Sequence, residues 1–187
     1  KPIIEFESSA GFFVIQLNCR DIPNTCNNFL TYVSDGFYDN TLIHRVIKDY
    51  IIQMGGYTNE FQAKAARKSI QQEKSTQTLH TKWSVGMALA MNSNSARSQF
   101  FINMKDNPEF NFPQNPSIKQ KGYTVIGKVI SGHEVINAIN ESRTDPYRYF
   151  SQFYNRYITF NNVPVKRIII KHARILRNTT NPKNNPN

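Results

Sequence analysis

The chain has 187 residues, enough for one domain with a substantial single core, and nothing in its composition divides it in two. It carries 23 Lys and Arg against 13 Asp and Glu, a formal charge of +10, so its surface attracts polyanions at low salt. No nucleic-acid motif accompanies that charge, so nucleic acid is not an expected partner, and no run of about eighteen apolar residues supplies a transmembrane helix.

Ile3 to Ser9 and Gly11 to Leu17 read as the strands of a hairpin turning at Ser8-Ser9-Ala10-Gly11, with Phe13, Ile15 and Leu17 on one face. Asp21-Ile22-Pro23-Asn24 then offers helix-start chemistry. Cys26, Phe29, Leu30 and Val33 follow at i, i+3, i+4 and i+7, and Gly36 ends the helix. Cys19 and Cys26 lie seven apart, which leaves two readings open: unpaired thiols with Cys26 on the core face of the helix, or a short-loop disulfide in an oxidising compartment.

Thr41 to Ile47 is mostly β-branched or long and apolar, which suits a strand, yet Arg45 interrupts it. Tyr50, Ile51 and Gln53 come within the next eight residues, in what reads as a second short strand. Arg45 either points to solvent or converges with these three into a shallow apolar site holding a cation and an amide. From Tyr57 to Trp83 the chain turns polar and reads as an extended loop with short ordered pieces. Apolar runs around Val85 to Leu89 and Phe100 to Ile102 flank a polar Asn and Ser loop, and strands are expected at Thr124 to Ile130 and Val165 to Leu176.

Between them, Arg143 to Asn162 is rich in aromatics: Tyr147, Tyr149, Phe150, Phe153, Tyr154, Tyr157 and Phe160. Phe150, Phe153, Tyr154 and Tyr157 sit at helical spacing, so an extra amphipathic helix is expected, with an exposed aromatic and basic surface for a protein partner, or least of all for nucleic acid, as the alternatives. Residues 177–187 carry no apolar side chain beyond proline, and a disordered tail is expected there. His44, His80, His133 and His172 show no metal-ligand spacing, so no metal is expected. No nucleophile elbow surrounds Ser98, and hydrolase chemistry is not expected. The acceptor-like triplets at Asn140 and Asn178 carry no weight.

Four stretches together have a relative: Phe37-Tyr38, His44-Arg45-Val46-Ile47, Ser98-Gln99-Phe100-Phe101-Ile102, and Gly122-Tyr123-Thr124-Val125-Ile126-Gly127-Lys128-Val129, followed by a short helical pattern from Gly132 to Ile139. They resemble the cyclophilins, the cyclosporin-binding type of peptidyl-prolyl cis-trans isomerase, over roughly Ile3 to Leu176. The resemblance implies a mainly β fold: a closed eight-stranded antiparallel barrel capped by two helices, with the aromatic-rich segment added before the last strand. It implies one isomerase domain over 1–176 that acts on X-Pro bonds in proline-containing polypeptides, assists folding and needs no cofactor. A monomer is expected.

Carried over by position, Arg45 and Gln53 are the expected catalytic residues. Tyr50, Ile51, Ala88, Leu89, Gln99, Phe101, Phe110 and Tyr123 are the expected substrate-binding ones. Lys48-Asp49 stands where the family has Pro-Gly, and Met54 where a glycine is common. Glu109 falls at the position of the tryptophan that contacts cyclosporin in the animal proteins, so weak cyclosporin binding is expected. Glu60-Phe61-Gln62-Ala63-Lys64 and Ile70-Gln71-Gln72-Glu73 look like the bacterial periplasmic members, and a start at Lys1-Pro2 fits a removed signal peptide. A periplasmic or otherwise secreted location is therefore expected, with a cytoplasmic one as the alternative. The rival to an enzyme is a binding module that keeps the fold, has little catalysis, and uses 143–162 for a protein partner.

Overall fold

The computed structural model describes residues 1–74, 78–90, 92–114, 122–151 and 155–176. Period-two alternation builds the first hairpin, in which β1 (Ile3–Ser8) and β2 (Gly11–Leu17) pair antiparallel and bury Ile4, Phe6, Phe13, Ile15 and Leu17. Six further strands join them: β3 (Thr41–Ile47), β4 (Ile51–Thr58), β5 (Ser84–Met87), β6 (Phe100–Asn103), β7 (Val125–Ser131) and β10 (Ile169–Leu176). Their order, β1-β10-β3-β4-β6-β5-β7-β2, closes a barrel, because the last strand pairs with both β1 and β3 and leaves no open edge. β10 begins four residues later than the sequence pattern indicates.

The interior is aromatic. Phe6 stacks on Phe13 at 5.0 Å, and Phe29, Tyr38 and Phe100 crowd against one another at 5.2–5.4 Å, all fully buried. Burying a side chain of this size contributes about 1.5–3 kcal/mol. Phe29 comes from α1 (Pro23–Ser34), which buries Cys26, Phe29 and Val33 at the expected spacing and covers part of the barrel. α2 (His133–Asn140) buries Ile136 and Ile139. The start of α1 has no side-chain cap of its own. The Glu73 carboxylate supplies one from across the fold, accepting from the backbone N–H of Asn24 at 3.1 Å and of Thr25 at 2.7 Å.

One open choice is settled and one expectation is corrected. Cys19 and Cys26 form a disulfide, resolving that alternative against unpaired thiols. The segment expected as a helix is instead a hairpin of β8 (Thr144–Ser151) and β9 (Arg156–Pro164), a separate two-stranded sheet outside the barrel. Alternation decides this: Tyr147, Tyr149, Ile158 and Phe160 are half-buried while Arg148, Phe150, Tyr157 and Thr159 are exposed, a period of two that the crowd of aromatics disguised. Its inner face closes a second small core with Leu42, Phe61 and Val163, in which Phe61 and Tyr147 stack at 4.1 Å. Residues 152–154 and 177–187, including Phe153, Tyr154 and the expected tail, lie outside the described residues.

Candidate active site

Strand alternation sorts this face of the barrel. On β6, Phe100 and Ile102 enter the main core while Phe101 stays out of it, and on β4, Ile52 and Met54 enter while Ile51 and Gln53 do not. β3 brings its charge to the same face through a bulge. Ile43 pairs with Met54 and Arg45 with Gln53, so two steps on β3 meet one on β4. Ile43 and Val46 therefore both point inward, and the two residues between them, His44 and Arg45, are left outside the main core. Arg45 thus lies beside Gln53, whose backbone partner on the other side is Phe101.

The polar side chains form a short chain. Arg45 Nη1 donates to Gln53 Oε1 at 3.4 Å, and Gln53 Nε2 donates to Gln99 Oε1 at 3.0 Å. Gln99 in turn accepts the backbone N–H of Ala88 on its carbonyl at 2.9 Å. Beside it stands an aromatic wall. Phe101, 4% exposed, meets Phe110 edge-on at 5.5 Å and Tyr123 at 5.7 Å, Phe110 meets Tyr123 at 5.1 Å, and Tyr50 lies 5.4 Å from Phe110. Ile51, buried, is the β4 neighbour of Tyr50. Of the ten expected residues, Arg45, Gln53, Gln99, Phe101, Phe110, Tyr123, Tyr50 and Ile51 come together here. Ala88 joins through Gln99. Leu89, half-buried, packs against the main core and lines a cavity with Ala88 and Gln99.

Lys48-Asp49, where the family has Pro-Gly, forms the turn before Tyr50, whose N–H donates to the Ile47 carbonyl at 3.0 Å. Asp49 adopts a left-handed φ of 57°, which Asp tolerates, and its N–H and carboxylate are both held by the Asn140 side chain at 2.9 Å. The hydroxyl of Tyr50 donates to Glu109 Oε1 at 3.2 Å. Its pKa is raised, first by burial and then by that carboxylate.

Sequence reasoning missed His80. It lies 1% exposed, with its ring parallel to Phe101 at 5.7 Å and edge-on to Phe110. Asn103 Nδ2 lies 3.1 Å from its Nδ1 and the Tyr123 carbonyl 3.0 Å from its Nε2, contacts that suit a neutral ring with the proton on Nε2. Burial lowers its pKa, partly offset by the Tyr123 carbonyl. A lone histidine has no spacing to advertise this role. Among the described residues, no group of three or more His, Cys, Asp or Glu could hold a metal ion, and no helix is long and apolar enough to cross a membrane.

Comparison with known proteins identifies the family and the fold. The family model described as cyclophilin type peptidyl-prolyl cis-trans isomerase/CLD matches residues 3–175. Peptidyl-prolyl cis-trans isomerase cyp18 of Streptomyces antibioticus is 38% identical over 92% of this chain and 98% of its own length. Peptidyl-prolyl cis-trans isomerase A of Dickeya dadantii is 33% identical over 91% of this chain and 82% of its own. Among solved structures, a cyclophilin type peptidyl-prolyl cis-trans isomerase of Cryptosporidium parvum, crystallised in the presence of the dipeptide Ala-Pro, superposes with a TM-score of 0.72 at 25% identity, covering 94% of this chain and 99% of that one. The chain therefore belongs to the cyclophilin-type peptidyl-prolyl cis-trans isomerases, enzymes that accelerate rotation about X-Pro bonds.

Proposed function

We propose that Arg45 is the catalytic residue of this isomerase and that Gln53 orients it, with the proline ring seated against Phe101, Phe110 and Tyr123. Amide resonance sets a barrier of about 18–20 kcal/mol to X-Pro rotation, and uncatalysed exchange takes tens to hundreds of seconds. At the twisted state resonance is lost and a lone pair localises on the imide nitrogen. A donor placed there binds the twisted state better than either planar one, which is what lowers a barrier. The Arg45 guanidinium is such a donor, a permanent cation whose N–H groups form a rigid fork, and the amides of Gln53 and Gln99 limit how far it swings. The apolar wall holds the ring while the acyl side turns. Tyr50 and Ile51 flank the ring, and Ala88 and Leu89 offer main-chain groups to an extended peptide.

The observation that carries this reading is the hydrogen-bonded run Arg45-Gln53-Gln99 set beside the aromatic wall of Phe101. Its test is NMR exchange on a blocked X-Pro tetrapeptide with wild type and Arg45→Ala: a loss of rate in the variant supports the reading and equal rates overturn it. The substrates are extended or unfolded proline-containing polypeptides, the biological role is assistance to folding, and the isomerase unit spans 1–176. A periplasmic or secreted setting is supported by the Cys19–Cys26 disulfide, since such bonds persist in oxidising compartments. With Glu109 where cyclosporin-binding relatives have tryptophan, binding of cyclosporin is weak; a calorimetric titration reaching nanomolar-class affinity would contradict this.

A second reading concerns the outer face of the β8–β9 hairpin. Phe150 and Tyr157 are 47% and 59% exposed, and the Arg148 guanidinium lies 4.2 Å from the Tyr157 ring. This surface suits protein docking, and it becomes the main function only if Arg45→Ala leaves the isomerisation rate unchanged.

A further inference from the structure

Glu109 stands in the first turn of a short 3-10 segment, Pro108–Phe110, that carries the pocket residue Phe110. The Tyr50 hydroxyl holds its carboxylate at 3.2 Å, and its charge reaches both Tyr50 and His80, two rings of the pocket lining. Strand register fixes where this acid lies. β6 runs from Phe100 to Asn103, with Phe101 opposite Gln53 in the middle. Gln99 and its partner Ala88 precede that midpoint. Tyr50 lies beyond it, since the Met104 N–H donates to the Tyr50 carbonyl at 2.9 Å and Ile51 pairs with Asn103. A peptide lying along this face with proline at Phe101 therefore has one flank over Gln99 and Ala88 and the other at the Tyr50–Glu109 pair.

We infer that Glu109 is a specificity residue, favouring substrates with a basic side chain on the flank facing it and disfavouring acidic ones there. This rests on the reading of Arg45 and Phe101 as the reaction site. The protein as a whole, at +10, repels basic peptides, and the exposed Glu109 carboxylate sets a negative charge at the pocket rim, where the Tyr50 hydroxyl holds it. Among the described residues, two cations face the same ring: Arg45, whose charge acts on Tyr50, and Lys105, whose Nζ lies 5.1 Å from the ring centroid. Lys105 is exposed on its own flexible stem, while the Glu109 carboxylate is fixed by the Tyr50 hydroxyl, so the acid presents the more defined charge to a bound peptide. The effect is that of an exposed ion pair, about two- to fivefold in kcat/KM for lysine over glutamine, with a similar penalty for glutamate.

The test uses blocked Ala-Pro tetrapeptides with lysine, glutamine or glutamate placed either before or after the Ala-Pro unit, with isomerisation followed by NMR exchange at low and at high salt. The expected result is the order lysine, glutamine, glutamate at one flank and no order at the other. That order fades at about 1 M salt, collapses in Glu109→Gln, and shrinks in Tyr50→Phe. Equal rates for all peptides in a wild-type enzyme that Arg45→Ala still inactivates would overturn the role of Glu109 alone. So would a lysine preference that survives Glu109→Gln. Full activity in Arg45→Ala would instead overturn the site itself, and this inference with it.

Discussion

Gly86 sits behind the pocket floor. A Cβ added there would lie 2.5 Å from Phe101 Cζ and 2.8 Å from His80 Cε1, and neither ring has room to retreat, since Phe101 and His80 are both buried. Gly86→Ala is expected to cost about 1–3 kcal/mol in stability through overpacking. It should also lower kcat/KM more than a surface substitution does if the displaced ring is the proposed seat of proline; peptide kinetics beside thermal melting check both. An unchanged rate would show that Phe101 does not touch substrate. Nothing in the run Val85 to Leu89 announced this contact. Arg45 and Gln53 could be read from the sequence because a charge and an amide in apolar strands are conspicuous. His80 and the Tyr50–Glu109 pair could not, because loops bring them in and loop paths leave no periodic trace.

α1 shows which part of an element is local and which is not. Its apolar stripe and its start at Pro23 follow from the sequence, whereas its cap, Glu73, and its clamp, Cys19, arrive from elsewhere in the chain. The disulfide ties the end of β2 to the first turn of α1. Closing a loop this short stabilises the fold by about 2–3 kcal/mol on the chain-entropy model. Reduction with a dithiol is therefore expected to lower the melting temperature by about 5–10 °C, while a Cys19→Ala/Cys26→Ala double variant melts at the lower temperature with or without reductant. A melting point that ignores reductant in wild type would contradict the bond. The β8–β9 hairpin was misread for a reason specific to aromatic segments: so many rings at consecutive positions satisfy the helical and the alternating templates together. Pro146 within β8 and the β-branched pair Ile158-Thr159 in β9 favoured the strand.

The closed barrel was legible through the resemblance to the cyclophilins; from pattern alone, alternation marked the first hairpin and the isoleucines marked the terminal strand. The second core was not, since it joins Leu42 and Phe61 to a hairpin about a hundred residues later. His44 lies under that junction, 4% exposed, 4.8 Å from the Tyr57 ring and 6.4 Å from that of Phe160. Burial lowers its pKa to about 4. Unfolded, it takes a proton near pH 6.5, so between about 6.5 and 4 the unfolded state binds the extra proton and stability falls by on the order of 3 kcal/mol. His80, also lowered by burial, adds in the same direction. Urea midpoints are expected to drop from pH 7.5 to pH 4.5 in wild type and to drop less in His44→Leu; identical slopes would assign the acid sensitivity elsewhere.

The central claim, that one guanidinium beside a ring-shaped apolar seat turns the X-Pro bond, is tested most directly by cis-trans exchange rates for a proline tetrapeptide with wild type and Arg45→Ala, both shown folded by circular dichroism. A loss of about ten- to a thousandfold in kcat/KM is predicted, the usual consequence of removing a charged donor aimed at the transition state. Equal rates would contradict it.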